Sequence, residues 1–304
     1  LKHQANLVLE GGGMRGAYTA GVLDFFHDKE IKFPLISTTS SAAIIGSSYV
    51  SNQRGRNYKI LEQISSNKHS ISFSRMIRHK ELFNMEFIFQ KLSGELIPLN
   101  FEDFLASPSK LVVGTTDLDT GKPNYHETFM SKSDLLTIIR ASCSLPILAP
   151  SITYNQTKLM DGGIADNIPI KPSIESGNTK HVVVLTRNKG YIKKATKLNW
   201  LFKRVYRNHP EFLKLLSNRH ELYNETMQQI LDMEKRGEVF IIQPKKPLKG
   251  SRIERNREKL RLLYNQGYEE AENSFLDLKH FLHETEVPRN PIEQVSGNKT
   301  IKTV

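Results

Sequence analysis

Two periods of apolar residues alternate along this chain. Asn6 to Glu10 is a short apolar run ending in glycines, which reads as a buried strand feeding a tight loop. From Met14 to Asp28 the period lengthens: Tyr18, Val22 and Phe25 fall at i, i+4 and i+7, one face of a helix. Ala17, Ala20 and Gly21 would let that helix pack closely. Phe33-Pro-Leu-Ile36 predicts a second strand, and residues 40–50 are small and apolar enough for a buried helix. Strand, loop, helix, strand, turn, helix is the order of a parallel α/β sheet.

The remaining elements follow from the same patterns. Residues 56–107 read as short helices joined by basic loops. Residues 110–116 form a strand, Asp119-Thr-Gly-Lys122 a turn into a hairpin, 133–141 a helix capped by Ser131 or Ser133, and 180–186 a β-branched buried strand. Beyond about Gly190 basic residues become denser, and helices are predicted at 196–206, 210–236 and 253–283, with a strand at 238–243 between them. The expected fold is a three-layer α/β sandwich with a mostly parallel central sheet. Residues 1–190 form the main domain, 191–285 a mainly helical extension, and 286–304 a polar, frayed tail.

Composition narrows the classes. The 304 residues suit one large α/β domain with an appendage. No run approaches the roughly 18 apolar residues of a membrane span, and Leu7 to Leu9 is too short for the core of a signal peptide. The single Cys143 excludes an intramolecular disulfide and a cysteine-based zinc cluster, so a cytoplasmic location is expected. The net charge of +11 favours anionic partners, but the basic residues are dispersed, as on an ordinary solvated face. Nucleic acid is not expected as a partner. Peripheral association with an anionic membrane would need some of Arg54, Arg56, Lys59, Arg75, Arg78 and Lys80 on the face that opens to the site.

Three segments carry candidate chemistry. Glu10-Gly-Gly-Gly-Met-Arg-Gly16 lies between a strand and a helix, where glycines let backbone N–H groups converge on a phosphate or on a transient oxyanion. Gly11, Gly13 and Gly16 also fit the dinucleotide fingerprint, but the second strand ends at Ser37-Thr-Thr-Ser40, without the carboxylate that would bind a ribose. Thr38-Thr-Ser-Ser-Ala42 occupies the place of a nucleophile elbow, with Thr38 and Ala42 where G-x-S-x-G has glycines; read alone it could equally be a helix cap. Asp161-Gly-Gly follows a turn near Asn155, and by itself could be a turn aspartate.

In this order, about 120 residues separating serine from aspartate, the three segments resemble the patatin-like phospholipases. Leu111 to Asp117, Arg140-Ala-Ser-Cys-Ser-Leu-Pro146 and Asp161 to Pro169 are similar to other blocks of that family. The resemblance covers about residues 5–188, and the remainder, including Leu262 to Tyr268, looks like the extension of a bacterial branch. It implies a lipid acyl hydrolase acting on carboxylic esters through a serine–aspartate dyad. Ser40 would be the nucleophile and Asp161 the base, with the amides of Gly11, Gly12 and Gly13 as oxyanion hole and Arg15 adding charge. No cofactor or metal is implied. The elbow, Thr38 with Ser41 and Ala42 around Ser40, departs from the pattern. Thr38 is expected to crowd the turn or the glycine loop and to lower activity. The alternative is a weakened or inactive patatin fold that binds lipid or a partner.

Two rivals use histidine. An α/β-hydrolase would need one after its acid, from His181, His209, His220, His280 or His283, and none lies in a marked loop. His280 and His283 share a helix face as conceivable metal ligands but have no marked third ligand. Cys143, between two serines, reads as a packed residue near the site.

Overall fold

A computed structural model describes residues 5–68 and 70–283; residues 286–304, expected as a tail, lie outside them. The sheet begins with β1 (Ala5–Leu9), followed by α1 (Gly16–Asp28), β2 (Leu35–Thr39) and α2 (Ser41–Val50). Next come α3 (Arg56–Ser66), α4 (Phe73–His79), a π-helical segment (Phe87–Leu96) and α5 (Phe101–Ala106). Then β3 (Lys110–Asp117) and β4 (Pro123–His126) form the predicted hairpin, and α6 (Lys132–Ser142) is capped by Ser131. The strands β5 (Ile152–Tyr154) and β6 (Thr157–Asp161) turn at Asn155 and Gln156, both with positive φ. The chain continues through α7 (Ile170–Glu175), β7 (Lys180–Val184), α8 (Asn199–Val205), α9 (Pro210–Lys235), β8 (Val239–Ile242), α10 (Arg257–Asn273) and α11 (Phe275–His283).

The sheet runs β5-β6-β3-β2-β1-β7-β8, with β4 also on β3. The strands from β3 through β8 in that order are parallel, and β4, β5 and β6 are antiparallel additions. Every residue of β1 is buried, as expected of a strand covered on both faces. Leu7 and Leu9 join the core beneath α1, α2, α3 and α10, whereas Val8 points to the opposite core with Ile170 of α7 and Ile230 of α9.

The second strand begins later than its apolar run suggests. Pro34 has no N–H to give a ladder, so pairing starts at Leu35 and extends to Thr39. The single helix expected over 253–283 breaks at Ser274 into α10 and α11.

The C-terminal section is built into the main domain. β8 pairs with β7 in parallel. α10 crosses α1 at backbone contact: a Cβ on Gly21 would lie 2.0 Å from the Tyr264 carbonyl oxygen, and one on Gly267 2.0 Å from that of Tyr18. Only glycine at both positions allows this approach. Tyrosine hydroxyls tie the flanks, Tyr18 donating to Glu270 at 2.8 Å and Tyr264 to Asp24 at 2.6 Å.

Candidate active site

Because β1 and β2 are parallel neighbours, with Val8 beside Ser37, the loops leaving their carboxyl ends emerge together. Gly11 to Gly13 follow β1, and Ser40 follows β2. Ser40 has φ 57° and ψ −136°, a conformation that is strained for any residue with a side chain. It is held from below: the Ser40 N–H donates to Ser142 Oγ at 2.7 Å, and that hydroxyl donates to the Gly114 carbonyl at 2.6 Å. A strained turn that lifts a serine at the head of a helix is the geometry of a nucleophile elbow.

Asp161 reaches Ser40 through the sheet. β3 lies beside β2, and antiparallel β6 lies on β3 with Asp161 opposite Thr115. The Ser40 hydroxyl donates to Asp161 Oδ2 at 2.7 Å, and the Gly163 N–H donates to Oδ1 at 2.8 Å. Burial pushes the Asp161 carboxyl above the ordinary carboxylate range, opposed by the Ser40 hydrogen bond, the charge of Arg219 and the Gly163 amide. An aspartate so placed is a stronger base than one in water.

The glycine loop divides its donors. The Gly11 N–H is committed to the Asn167 carbonyl at 3.1 Å, and that of Gly12 makes a longer contact of 3.3 Å to Ser41 Oγ. Gly13 has φ +58°, and a Cβ there would sit 2.7 Å from the Arg252 carbonyl oxygen. The expectation that all three amides face a reacting oxygen therefore needs correcting at Gly11, whose donor is used within the fold. Arg15 also differs from expectation. It is buried with its Nη2 toward Thr186 Oγ1 at 3.3 Å, burial lowers its pKa to about 10, and the cleft at Ser40 is lined instead by Arg219 and Arg252.

Thr38 does not crowd the glycine loop. Its hydroxyl donates to the Val112 carbonyl at 2.8 Å, and its methyl lies over Gly46 of α2, which makes the room. Ala42 is buried in the core. No histidine is among the described residues lining the clefts at Ser40. His181 is buried on β7 against Ser173, and His209 pairs with Asp119. Among the basic residues considered for a membrane face, Arg56 is buried, donating to Ser48 and to the carbonyls of Ile97 and Pro98, while Arg54 pairs with Asp28 and Arg75 with Glu81. No helix of the described residues is long and apolar enough to cross a membrane.

Two hollows meet at Ser40. One, of about 640 Å³, is lined by apolar side chains of α2, α3 and the π-helical segment, among them Ile45, Ile60, Ile64, Ile88 and Phe89, with Cys143 in its wall. The other, of about 240 Å³, holds Asp161, Asn167, Arg219 and Arg252.

A profile of the patatin-like phospholipases matches residues 7–174. The chain belongs to the patatin-like phospholipase family. A domain of unknown function (DUF6363) matches residues 209–283. The patatin-like chain is 28% identical over 271 residues to the uncharacterized protein YjjU of Escherichia coli, covering 84% of this chain and 74% of that protein. It is 28% identical over 201 residues to the lysophospholipase NTE1 of Meyerozyma guilliermondii, covering 64% of this chain but only 13% of that much longer protein. The probable lipid hydrolase 463L of Invertebrate iridescent virus 6 is 26% identical over 196 residues, 59% of this chain and 67% of its own. Among solved structures, VipD of Legionella pneumophila aligns with a TM-score of 0.46 and 11% identity over 91% of this chain and 67% of that one. Family and relatives together support lipid hydrolysis in the broad sense.

Several residues of this patatin-like site carry no obvious signal in the sequence. Glu10 is buried, and its carboxylate accepts from the Thr186 N–H at 2.6 Å, Asn167 Nδ2 at 3.0 Å and the Tyr223 hydroxyl at 3.1 Å. It thereby braces the loop that begins one residue later. Asn167 and Ser142 lie inside blocks that resemble the family, so they could have been singled out there. Arg219 and Arg252 come from α9 and the loop after β8, where basic residues are too common to stand out.

Proposed function

We propose that this protein is a serine acyl hydrolase that cleaves carboxylic esters of lipids through Ser40 and Asp161. The observation that carries the reading is the 2.7 Å hydrogen bond from the Ser40 hydroxyl to Asp161, with Ser40 in the wall of an apolar cavity. Asp161 takes the hydroxyl proton as Ser40 Oγ attacks the ester carbonyl. The oxyanion forms beside Gly12 and Gly13, where the Gly12 N–H can exchange its long contact to Ser41 for a charged acceptor. Asp161 returns the proton to the departing alcohol, leaving an acyl-Ser40. Water, deprotonated by Asp161, attacks the acyl carbonyl; the bond to Ser40 Oγ breaks, Oγ takes the proton back from Asp161, and the acid is released. The apolar cavity is the place for the acyl chain, whose burial supplies about 0.8 kcal/mol per methylene.

The test is hydrolysis of a series of nitrophenyl esters and lysolipids. Ser40→Ala and Asp161→Asn should each abolish turnover while the protein stays folded, and a fluorophosphonate probe should label Ser40 in the unaltered protein. Ile64→Trp should retain short esters and lose long ones. Turnover persisting in Ser40→Ala would exclude the mechanism.

A further inference from the structure

The chain between Glu175 and Glu211 holds nine lysines and arginines and no aspartate or glutamate. The same stretch carries the single tryptophan, Trp200, which is 65% exposed. We propose that residues 189–207, centred on α8, dock the protein on the surface of an anionic lipid bilayer. The inference rests on the reading of the substrate as a lipid ester, and it deepens that reading by naming the surface through which the protein reaches lipid.

The place of the segment in the fold comes first. β7 runs parallel to β1, Val184 beside Leu9, so the chain leaves β7 at the edge of the sheet from which the glycine loop emerges. Thr186 lies there against Gly12. The backbone of Lys193 then exchanges two hydrogen bonds with the Asn224 side chain of α9, at 2.9 and 3.0 Å. At the far end Phe202 and Tyr206 are buried with Leu118, the residue after β3, and the Tyr206 hydroxyl accepts from the Ile147 N–H at 3.0 Å. The segment is thus tied at both ends to the carboxyl edge of the parallel strands, the edge at which Ser40 stands. By contrast α2 leads away from Ser40 for 10 residues, about 15 Å, which puts Arg54 and Arg56 toward the opposite edge.

What the segment shows to solvent comes second. In α8 Trp200, Lys203 and Arg204 fall at i, i+3 and i+4, one exposed face of the helix, while Phe202 on the opposite face is in the core. Ile192, Leu198 and Val205 are exposed in the same segment, so four of the eleven large apolar side chains exposed among the described residues lie within 192–205. Lys189, Lys194, Lys197, Lys203, Arg204 and Arg207 are exposed as well, and among the described residues none of the six forms an ion pair. Six such cations with no carboxylate between them favour an anionic partner. The apolar side chains decide its kind. Aliphatic tips gain little from the phosphates of a nucleic acid. A bilayer interface takes tryptophan at head-group level, aliphatic tips beneath it, and lysine and arginine alongside the lipid phosphates.

The experiment uses the full chain, with Ser40→Ala in the binding arm so that the vesicles stay intact. Because Trp200 is the sole tryptophan, its emission reports this segment alone. Vesicles of phosphatidylcholine mixed with phosphatidylglycerol should shift that emission to shorter wavelength, and lipids brominated in the acyl chain should quench it. Pure phosphatidylcholine should do neither, and high salt should weaken the binding. Lys203→Gln with Arg204→Gln should lower the partition coefficient about 25-fold, at about fivefold for each basic residue near an anionic surface. Trp200→Ser, followed by vesicle sedimentation, should lower it severalfold at both low and high salt. With Ser40 restored, these variants should keep full turnover of a short soluble nitrophenyl ester and lose hydrolysis of lysophospholipid carried in anionic vesicles, in step with binding. An emission unmoved by anionic vesicles, or a partition coefficient unmoved by the charge variant, overturns the proposal. So does a shift that follows protein concentration without vesicles, which marks a self-association face, or one produced by duplex DNA and not by vesicles. Docking without hydrolysis of any ester upholds the surface and removes the catalytic reading; hydrolysis of vesicle lipid without docking through Trp200 does the reverse.

Discussion

The methyl group of Thr38 occupies the space that a side chain at Gly46 would need: a Cβ on Gly46 would lie 2.8 Å from Thr38 Cγ2 and 3.1 Å from Leu111 Cδ1. The elbow has exchanged its usual glycine for a threonine, and the helix packed against it supplies the glycine instead. Gly46→Ala should therefore cost about 1–3 kcal/mol of stability by overpacking. In a Thr38→Ser background, which keeps the bond to Val112, it should cost clearly less, so the two changes are non-additive. Denaturant midpoints measure this. Thr38→Gly with Ala42→Gly should bring no gain in ester turnover; a double variant several-fold faster would show that the turn is still crowded.

Backbone strain at Ser40 gives a second outcome. At φ 57° and ψ −136° glycine is at ease and alanine is not. Ser40→Gly and Ser40→Ala both remove the hydroxyl and both should be inactive. The glycine variant should nonetheless be the more stable by about 1–2 kcal/mol, the reverse of the usual order at a helix-proximal site. Thermal unfolding of the two side by side is the measurement, and an alanine variant at least as stable would mean that the turn is unstrained.

The pH dependence has a definite sign. In the proposed reaction Asp161 would act as a base only when ionised, and burial raises its pKa. The acid limb of kcat/KM on a neutral nitrophenyl ester should therefore lie above the ordinary carboxylate range, with activity rising as pH rises through it. Arg219 favours the charged carboxylate, so Arg219→Met should move the limb further up. A limb that stays in place or moves down would separate Arg219 from the base.

What could be read from the sequence was whatever sits in short contiguous blocks. Three adjacent glycines after an apolar run, a serine after the next strand and Asp-Gly-Gly name their own positions, and the parallel strands follow from β-branched runs. Contributions that depend on direction or distance could not be read. Arg15 adjoins the glycine loop in sequence, but its side chain leaves toward Thr186. Arg219 and Arg252 reach the cleft from segments about 180 and 210 residues beyond Ser40, a proximity set only by packing. The π-helical segment over Phe87–Leu96 follows neither of the periods used to find helices and strands, so its part in the apolar cavity was invisible.

The crossing of Gly21 and Gly267 also sets a clock on biosynthesis. Ser40 and Asp161 are both synthesised long before α10 exists, yet the helix that follows the glycine loop lacks the helix that crosses it at backbone contact until residue 267 is added, and the loop itself leans on Arg252 through its Met14 N–H at 3.1 Å. At about 5–20 residues per second, translation from Asp161 to Gly267 takes roughly 5–20 s. Chains arrested on the ribosome at residue 245 should be inert to a serine-directed probe, and chains released at full length reactive. The glycine loop and Ser40 are in this way left without their supporting helix until α10 has been made.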